Sequence, residues 1–216
     1  MTAPPPERAR SAARDKRQLI LDSAIRVFAR TGYHGARVSD IAREAGIAYG
    51  LVYHYFENKE EILDTIFDEQ WTAFLEAVEA IADGGTRTED KLLSIAALIL
   101  NAYRVRADWV KVLVFEIQRS QRFARPEQLR AVGRLFQLVA RILRDGQEAE
   151  RLRRDVDPDV ACVVFLGGLD IVLTSSVLRV IDPGATPEAE ARYFLKVART
   201  VVDLFLHGLE RSEDGA

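Results

Sequence analysis

The stretch AYGLVYHYF, residues 48 to 56, places three tyrosines, a histidine and a phenylalanine within nine positions, in a 216-residue chain that is only 8% aromatic. Phenol and imidazole groups set this close together make poor core material. They make good hydrogen-bond partners for phosphate oxygens and base edges. If the stretch is helical, Val52 and Phe56 lie four apart on one face and can pack on Phe28, Ile41 and Ile47. Tyr49, Gly50, Tyr53 and His54 then turn away from that core. Gly50 has no side chain and lets the backbone approach a duplex, and an exposed Leu51 finds its match in a thymine methyl. The alternative is a small secondary core beneath the first helix, to which Tyr55 above all would belong.

Such a face has to be held by short helices around it. RQLILDSAIRVFART carries Leu19, Ile20, Ala24, Val27 and Phe28 at helical spacing, with Gly32 as a natural stop before the link Tyr33-His34-Gly35. Val38-Ser39-Asp40 opens a second, short helix. Ser39 is its expected N-cap, Asp40 suits its first turn, and Ile41, Ala42 and Ala45 face inward. Gly46 ends it, and residues 48–55 form a third helix after a turn of about three residues. Two short helices joined through a glycine-containing turn form a helix-turn-helix, whose second helix enters the major groove. A long helix follows over 57–82, begun by Glu57 or Asn58, and further helices fall near 88–106, 108–121, 126–150, 158–179 and 187–210. Asp83-Gly84-Gly85, Pro126, Asp157-Pro158 and Asp182-Pro183-Gly184 punctuate them. No period-two strand pattern persists and there is no internal repeat, so the fold class is all-α. Residues 1–16 read as a disordered arm, 17–57 as a three-helix DNA-binding domain and 58–211 as a larger helical domain.

Composition narrows the function. The net charge of −3 hides an asymmetry: residues 1–60 hold ten Lys/Arg against seven Asp/Glu, and the remainder twenty against twenty-six. A basic face is therefore expected at the N-terminal end, and phosphate contact is not expected elsewhere. The single cysteine, Cys162, excludes a disulfide framework and a cysteine zinc site, and suits a cytoplasmic protein. MTAPPPERARSAARDK lacks the apolar run of a secretory signal. The most apolar stretch, VACVVFLGGLDIVL, is interrupted at Asp170 before it reaches about 18 residues, so no membrane span is expected. His34, His54 and His207 have no carboxylate or cysteine at ligand spacing, and there is no phosphate-binding glycine loop. No catalytic set, metal or cofactor is expected, and the chain is not read as an enzyme.

DIAREAGIAYGLVYHYFENKEEIL, within residues 17–63, resembles the DNA-binding domain of the TetR family of transcriptional regulators. The likeness rests on Ala42, the turn residues Gly46 and Ile47, the sequence Tyr53-x-Tyr55-Phe56, and Lys59-Glu60-Glu61 before an apolar residue. It implies a cytoplasmic homodimer on a palindromic double-stranded operator, and a C-terminal domain that binds a small hydrophobic effector and dimerises through its last two helices. By position, Tyr49, Gly50, Leu51 and His54 would face bases, and Ser39, Tyr53, Tyr55 and Lys59 would hold phosphate. Leu51 departs from the small or hydroxyl residue more usual there, which leaves open the base it reads.

The second domain also resembles the ligand domain of fatty-acid-degradation repressors in this family, which respond to long-chain acyl-CoA. Glu116-Ile117-Gln118-Arg119-Ser120 and Gly168-Leu169-Asp170 carry that likeness. It implies an apolar slot lined by Tyr103, Phe115, Phe136 and Phe165, with Arg119 and Arg122 at its mouth for the CoA phosphates. The expected function is a repressor of fatty-acid metabolism genes, relieved by acyl-CoA. The alternatives are a regulator of efflux or other metabolism that answers an aromatic, drug-like ligand, or a DNA binder with no effector. For dimerisation, Gly167 would permit close approach, and Phe194, Val197, Val201 and Phe205 would contribute to the seam.

Overall fold

The computed structural model describes residues 7–117, 126–149 and 151–208, with side chains of the first stretch described from 13 to 115. Among these residues the secondary structure is helical: α1 (Glu7–Gly35), α2 (Val38–Ala45), α3 (Tyr49–Tyr55), α4 (Lys59–Asp83), α5 (Thr88–Val105), α6 (Ala107–Val112), a π-helical turn (Leu113–Ile117), α7 (Pro126–Glu148), α8 (Pro158–Val177) and α9 (Pro187–His207). The chain packs as two compact units. Residues Met1–Trp71 with Lys111–Arg119 form the first, and Thr72–Val110 with Ser120–Ala216 the second.

In the first unit, α1 begins at Glu7, so helix occupies ten of the sixteen residues read as an arm. Its buried face is Ile20, Leu21, Ala24, Val27 and Phe28. Leu19, expected inside, is 39% exposed, and Leu21 takes the inward place. At Gly32 the backbone turns to φ 71°, a left-handed conformation that a side chain resists, and the helix kinks there before running on to Gly35. The N-cap of α2 is Arg37, in extended conformation, and Ser39 lies inside the first turn; this corrects the expected cap. Asp40 explains the shift, because its carboxylate accepts the Arg37 backbone N–H at 3.1 Å and closes the turn two residues earlier. Gly46, at φ 66°, ends α2 and sends the chain into α3. Ile41, Ala42, Val52 and Phe56 are buried, and α2 packs on α1 on one side and α3 on the other. Asn58 starts α4 by accepting the Glu61 N–H at 2.8 Å.

In the second unit, α5 packs against α7, α8 and α9, and α7 lies along α8. Leu92, Ile95, Ala96, Leu100, Leu138, Val139, Ile142, Leu143, Phe165 and Leu169 form the core. Asp157 caps α8 by accepting the N–H groups of Asp159 at 2.8 Å and Val160 at 3.3 Å, with Pro158 at the first helical position. Thr186 and Pro187 repeat the device for α9. α8 runs continuously through Asp170, as the helix expected over 158–179 requires. By length and composition alone it would serve to cross a membrane, with a mean hydropathy of 2.1.

Candidate DNA-binding face and ligand domain

The recognition face is made by α3, a helix of seven residues. Val52 is fully buried and Phe56 nearly so, which fixes the helix by its inner side. Tyr49 (53% exposed), Tyr53 (44%), Gly50 and His54 face outward, as their spacing predicts. The Tyr49 and Tyr53 hydroxyls are hydrogen-bonded to each other at 2.9 Å, with ring centroids 5.1 Å apart, edge to face. That hydrogen bond first, then desolvation and the neighbouring phenol, raises the Tyr53 pKa above its ordinary value. The His54 ring stands edge-on to Tyr55 at 5.3 Å. Tyr55 and Leu51 are half-buried.

Lys59 departs from its expected role. Its ammonium donates to the backbone carbonyls of Tyr33 at 2.6 Å and Ala36 at 2.8 Å, and lies 4.3 Å from the centre of the Tyr33 ring. The charge that was expected on a phosphate instead fastens the start of α4 to the link between α1 and α2. Ser39 stays half-buried beside the α2 N-terminus. A second fastening went unread in the sequence: Arg26 and Arg30 of α1 both bind the Glu44 carboxylate of α2, at 2.8 and 3.1 Å. These two hydrogen bonds, Arg26 first, hold the Glu44 carboxyl below its usual pKa. The i,i+4 spacing of Arg26 and Arg30 was visible, but the partner lies across a turn.

Among the described residues, the expected ligand side chains are engaged with different partners. Tyr103 donates its hydroxyl to the Ser176 carbonyl at 3.3 Å and meets Phe194 at a centroid distance of 5.5 Å. Phe165 is buried against Phe205, 5.1 Å between centroids. The Phe136 carbonyl accepts the Cys162 thiol at 3.4 Å. Burial, then the nearby Asp159 charge, pushes that thiol up to about 11. Phe115 belongs to the first unit, on the π-helical turn that packs on α1. Arg119 and Arg122 lie outside the described residues. The second unit instead shows an open cavity of about 450 Å³ lined by Ile81, Ser94, Ala97, Leu98, Asn101, Ala191, Phe194 and Leu195. Its lining carries no charged side chain.

Residues 20–66 match the family described as bacterial regulatory proteins, tetR family. The match runs from Ile20 within α1 to Ile66 in the first third of α4, the same segment that carries the outward Tyr49–His54 face. The N-terminal segment is a TetR-family DNA-binding domain. The chain is 28% identical over 165 residues to the fatty acid metabolism regulator protein of Bacillus subtilis (strain 168), covering 76% of this chain and 85% of that one. Among solved structures, the fatty acid degradation regulator FadR from Bacillus halodurans superposes with a TM-score of 0.76 at 28% identity, over 91% of this chain and 97% of the other. The transcriptional regulator FadR from Bacillus subtilis, in complex with stearoyl-CoA, superposes with a TM-score of 0.75 over 89% and 99%; at 24% identity this shows the fold. The all-α architecture with an N-terminal helix-turn-helix is therefore that of TetR-family regulators along nearly the whole described chain.

Proposed function

We propose that this protein is a cytoplasmic homodimeric repressor of the TetR family whose α3 helices enter successive major grooves of a palindromic operator, and whose grip is relieved by an apolar effector, a long-chain acyl-CoA. The observation that carries the DNA half is the α3 face itself. One side is sunk in the core through Val52 and Phe56, and the other offers Tyr49, Gly50, Tyr53 and His54 to a partner. A short helix held rigidly from behind and polar in front is what groove reading requires. A gel shift against the protein's own upstream region tests it: retardation is expected, and no retardation at low salt overturns the reading.

The effector half is supported by the uncharged lining of the cavity beside α5 and α9 and by the likeness to the fatty-acid regulators of Bacillus halodurans and Bacillus subtilis, the latter solved with stearoyl-CoA. Native mass spectrometry of the purified protein should find a bound acyl-CoA or accept an added one. The dimer is supported by α8. Val160, Val163, Val164 and Ile171 are each more than half exposed, and an added Cβ at Gly167 would meet nothing within 4 Å. These five positions follow the helical steps of three and four that make a single stripe. Phe194 and Phe205, expected in the seam, pack within the protomer against Tyr103 and Phe165.

A further inference from the structure

Every DNA-binding face needs cations placed against phosphate, because backbone neutralisation supplies most of the non-specific affinity. With Lys59 bound to two carbonyls, the charge expected for that task is already engaged. A census of the basic side chains around the helix-turn-helix shows where a replacement stands. Arg17 binds Glu69 at 2.5 Å, Arg26 and Arg30 bind Glu44, and Arg43 binds Asp40 at 3.1 Å. Arg37 is exposed, and among the described residues no acid or carbonyl engages its guanidinium. Its backbone, by contrast, is fixed on both sides. The Arg37 N–H is held by Asp40, its carbonyl accepts the N–H groups of Asp40 at 2.9 Å and Ile41 at 3.3 Å, and the preceding Ala36 is buried with its own carbonyl on Lys59. A free charge thus stands on a rigid base.

We infer that Arg37 is the phosphate-holding cation of the DNA-binding face, and that Lys59 is the structural clamp beneath it. In a helix-turn-helix the first helix crosses the sugar–phosphate backbone while the second reads the groove, and Arg37 is the leading residue of that first helix, α2. Arg14 and Lys16 are also exposed. They stand at the opposite end of α1, beyond Arg17, which is tied to Glu69 well along α4, whereas Lys59 at the start of α4 is tied beside Arg37. The guanidinium also suits the task better than an ammonium, since its planar fork can take two oxygens of one phosphate. The nearest opposing charge is the Asp40 carboxylate, which is shared between the Arg37 N–H and the Arg43 guanidinium.

This inference rests on the DNA-binding reading above, and one titration series separates the two. Binding of the full-length protein to its upstream duplex and to a random duplex of equal length is measured across salt concentrations, with melting temperature as a control. R37Q should weaken both duplexes about tenfold at fixed salt and flatten the plot of log affinity against log salt by about 0.9 for each contact removed, with melting unchanged. R37K should restore most of the slope. Lys59→Gln should lower the melting temperature and leave the slope as in wild type. A slope unchanged in R37Q, or flattened only by Lys59→Gln, overturns the assignment while leaving the DNA reading intact. Wild-type protein that binds neither duplex at low salt overturns the reading on which the assignment stands, and the assignment with it.

Discussion

Gly50 shows how a residue's reason can lie outside its own chain. It sits in the first turn of α3, is exposed, and a Cβ built on it would meet nothing within 4 Å. Neither packing nor backbone conformation demands glycine there, yet glycine costs a helix up to about 1 kcal/mol relative to alanine. Gly50→Ala should therefore stabilise the free protein, by up to about 1 kcal/mol in a denaturant melt, while costing at least tenfold in operator affinity, because the methyl would stand where the duplex backbone or a base edge must come. A variant that melts higher and binds as well as wild type would remove Gly50 from the interface. The outward set on α3 was legible because helical spacing alone sends Tyr49, Tyr53 and His54 away from Val52 and Phe56. That the two phenols would bond to each other at 2.9 Å was not. Spacing says which side chains are neighbours, and rotamers decide whether their hydroxyls meet. The engagement of Lys59 within the protein was hidden for a similar reason. A lysine near a recognition helix suggests phosphate, and only the path of the chain brings the Tyr33 and Ala36 carbonyls within its reach.

At the scale of elements, α2 is held by apolar burial beneath and by the Arg26–Glu44–Arg30 brace at its edge. The brace has a pH signature. Glu44 has its pKa held below the ordinary value of 4.5, chiefly by the hydrogen bond from Arg26 and then by that from Arg30. A carboxylate with a depressed folded-state pKa contributes stability that is present above its unfolded pKa and is lost as pH falls through the folded one. The contribution should thus be full at neutral pH and fade below about 4.5. Glu44→Gln should narrow the gap in melting temperature between pH 7 and the acid side of that window, while leaving α1 helical by circular dichroism. Equal pH dependence in variant and wild type would show the brace to be inert. Helix existence was legible throughout, since apolar spacing, Pro158, Pro187 and Gly46 mark most ends within two residues. The start of α2 was not, because serine is the commoner cap and nothing local announces that Asp40 reaches back to the Arg37 N–H. The helix expected over 108–121 instead changes at Leu113 into a π-helical turn, which residue spacing alone does not reveal.

At the scale of the whole molecule, the two sides of α8 set the question. Ala161, Cys162, Phe165, Leu166, Leu169 and Leu173 are buried in the protomer, while Val160, Val163, Val164 and Ile171 are open. An apolar stripe on that side calls for a partner surface, and a second copy meets it symmetrically. Val164→Glu touches nothing in the protomer's core, so the folded monomer should persist while the dimer dissociation constant, read by sedimentation, rises at least tenfold. Assembly unchanged by that charge would move the seam elsewhere. In the proposed dimer the seam sets the separation of the two α3 helices, and operator half-sites lie about 34–36 Å apart. An effector can release DNA only by binding a mismatched dimer geometry more tightly than the matched one. A hundredfold loss of operator affinity needs about 2.7 kcal/mol of such preference, within the usual range of coupling. If the effector is an acyl-CoA, part of its preference comes from buried methylenes, each worth about 0.8 kcal/mol, since the described lining of the cavity beside α5 and α9 is uncharged. Potency in releasing DNA should therefore rise steeply from short to long acyl chains, level off where the cavity is full, and be nearly absent for free CoA. Leu98→Trp, which fills that cavity, should shift the plateau to shorter chains. The measurement is release of labelled operator by anisotropy across an acyl-CoA series. Should a planar aromatic compound release the operator while every acyl-CoA leaves it bound, the regulator keeps its DNA face and its dimer, and the effector belongs to a different chemical class.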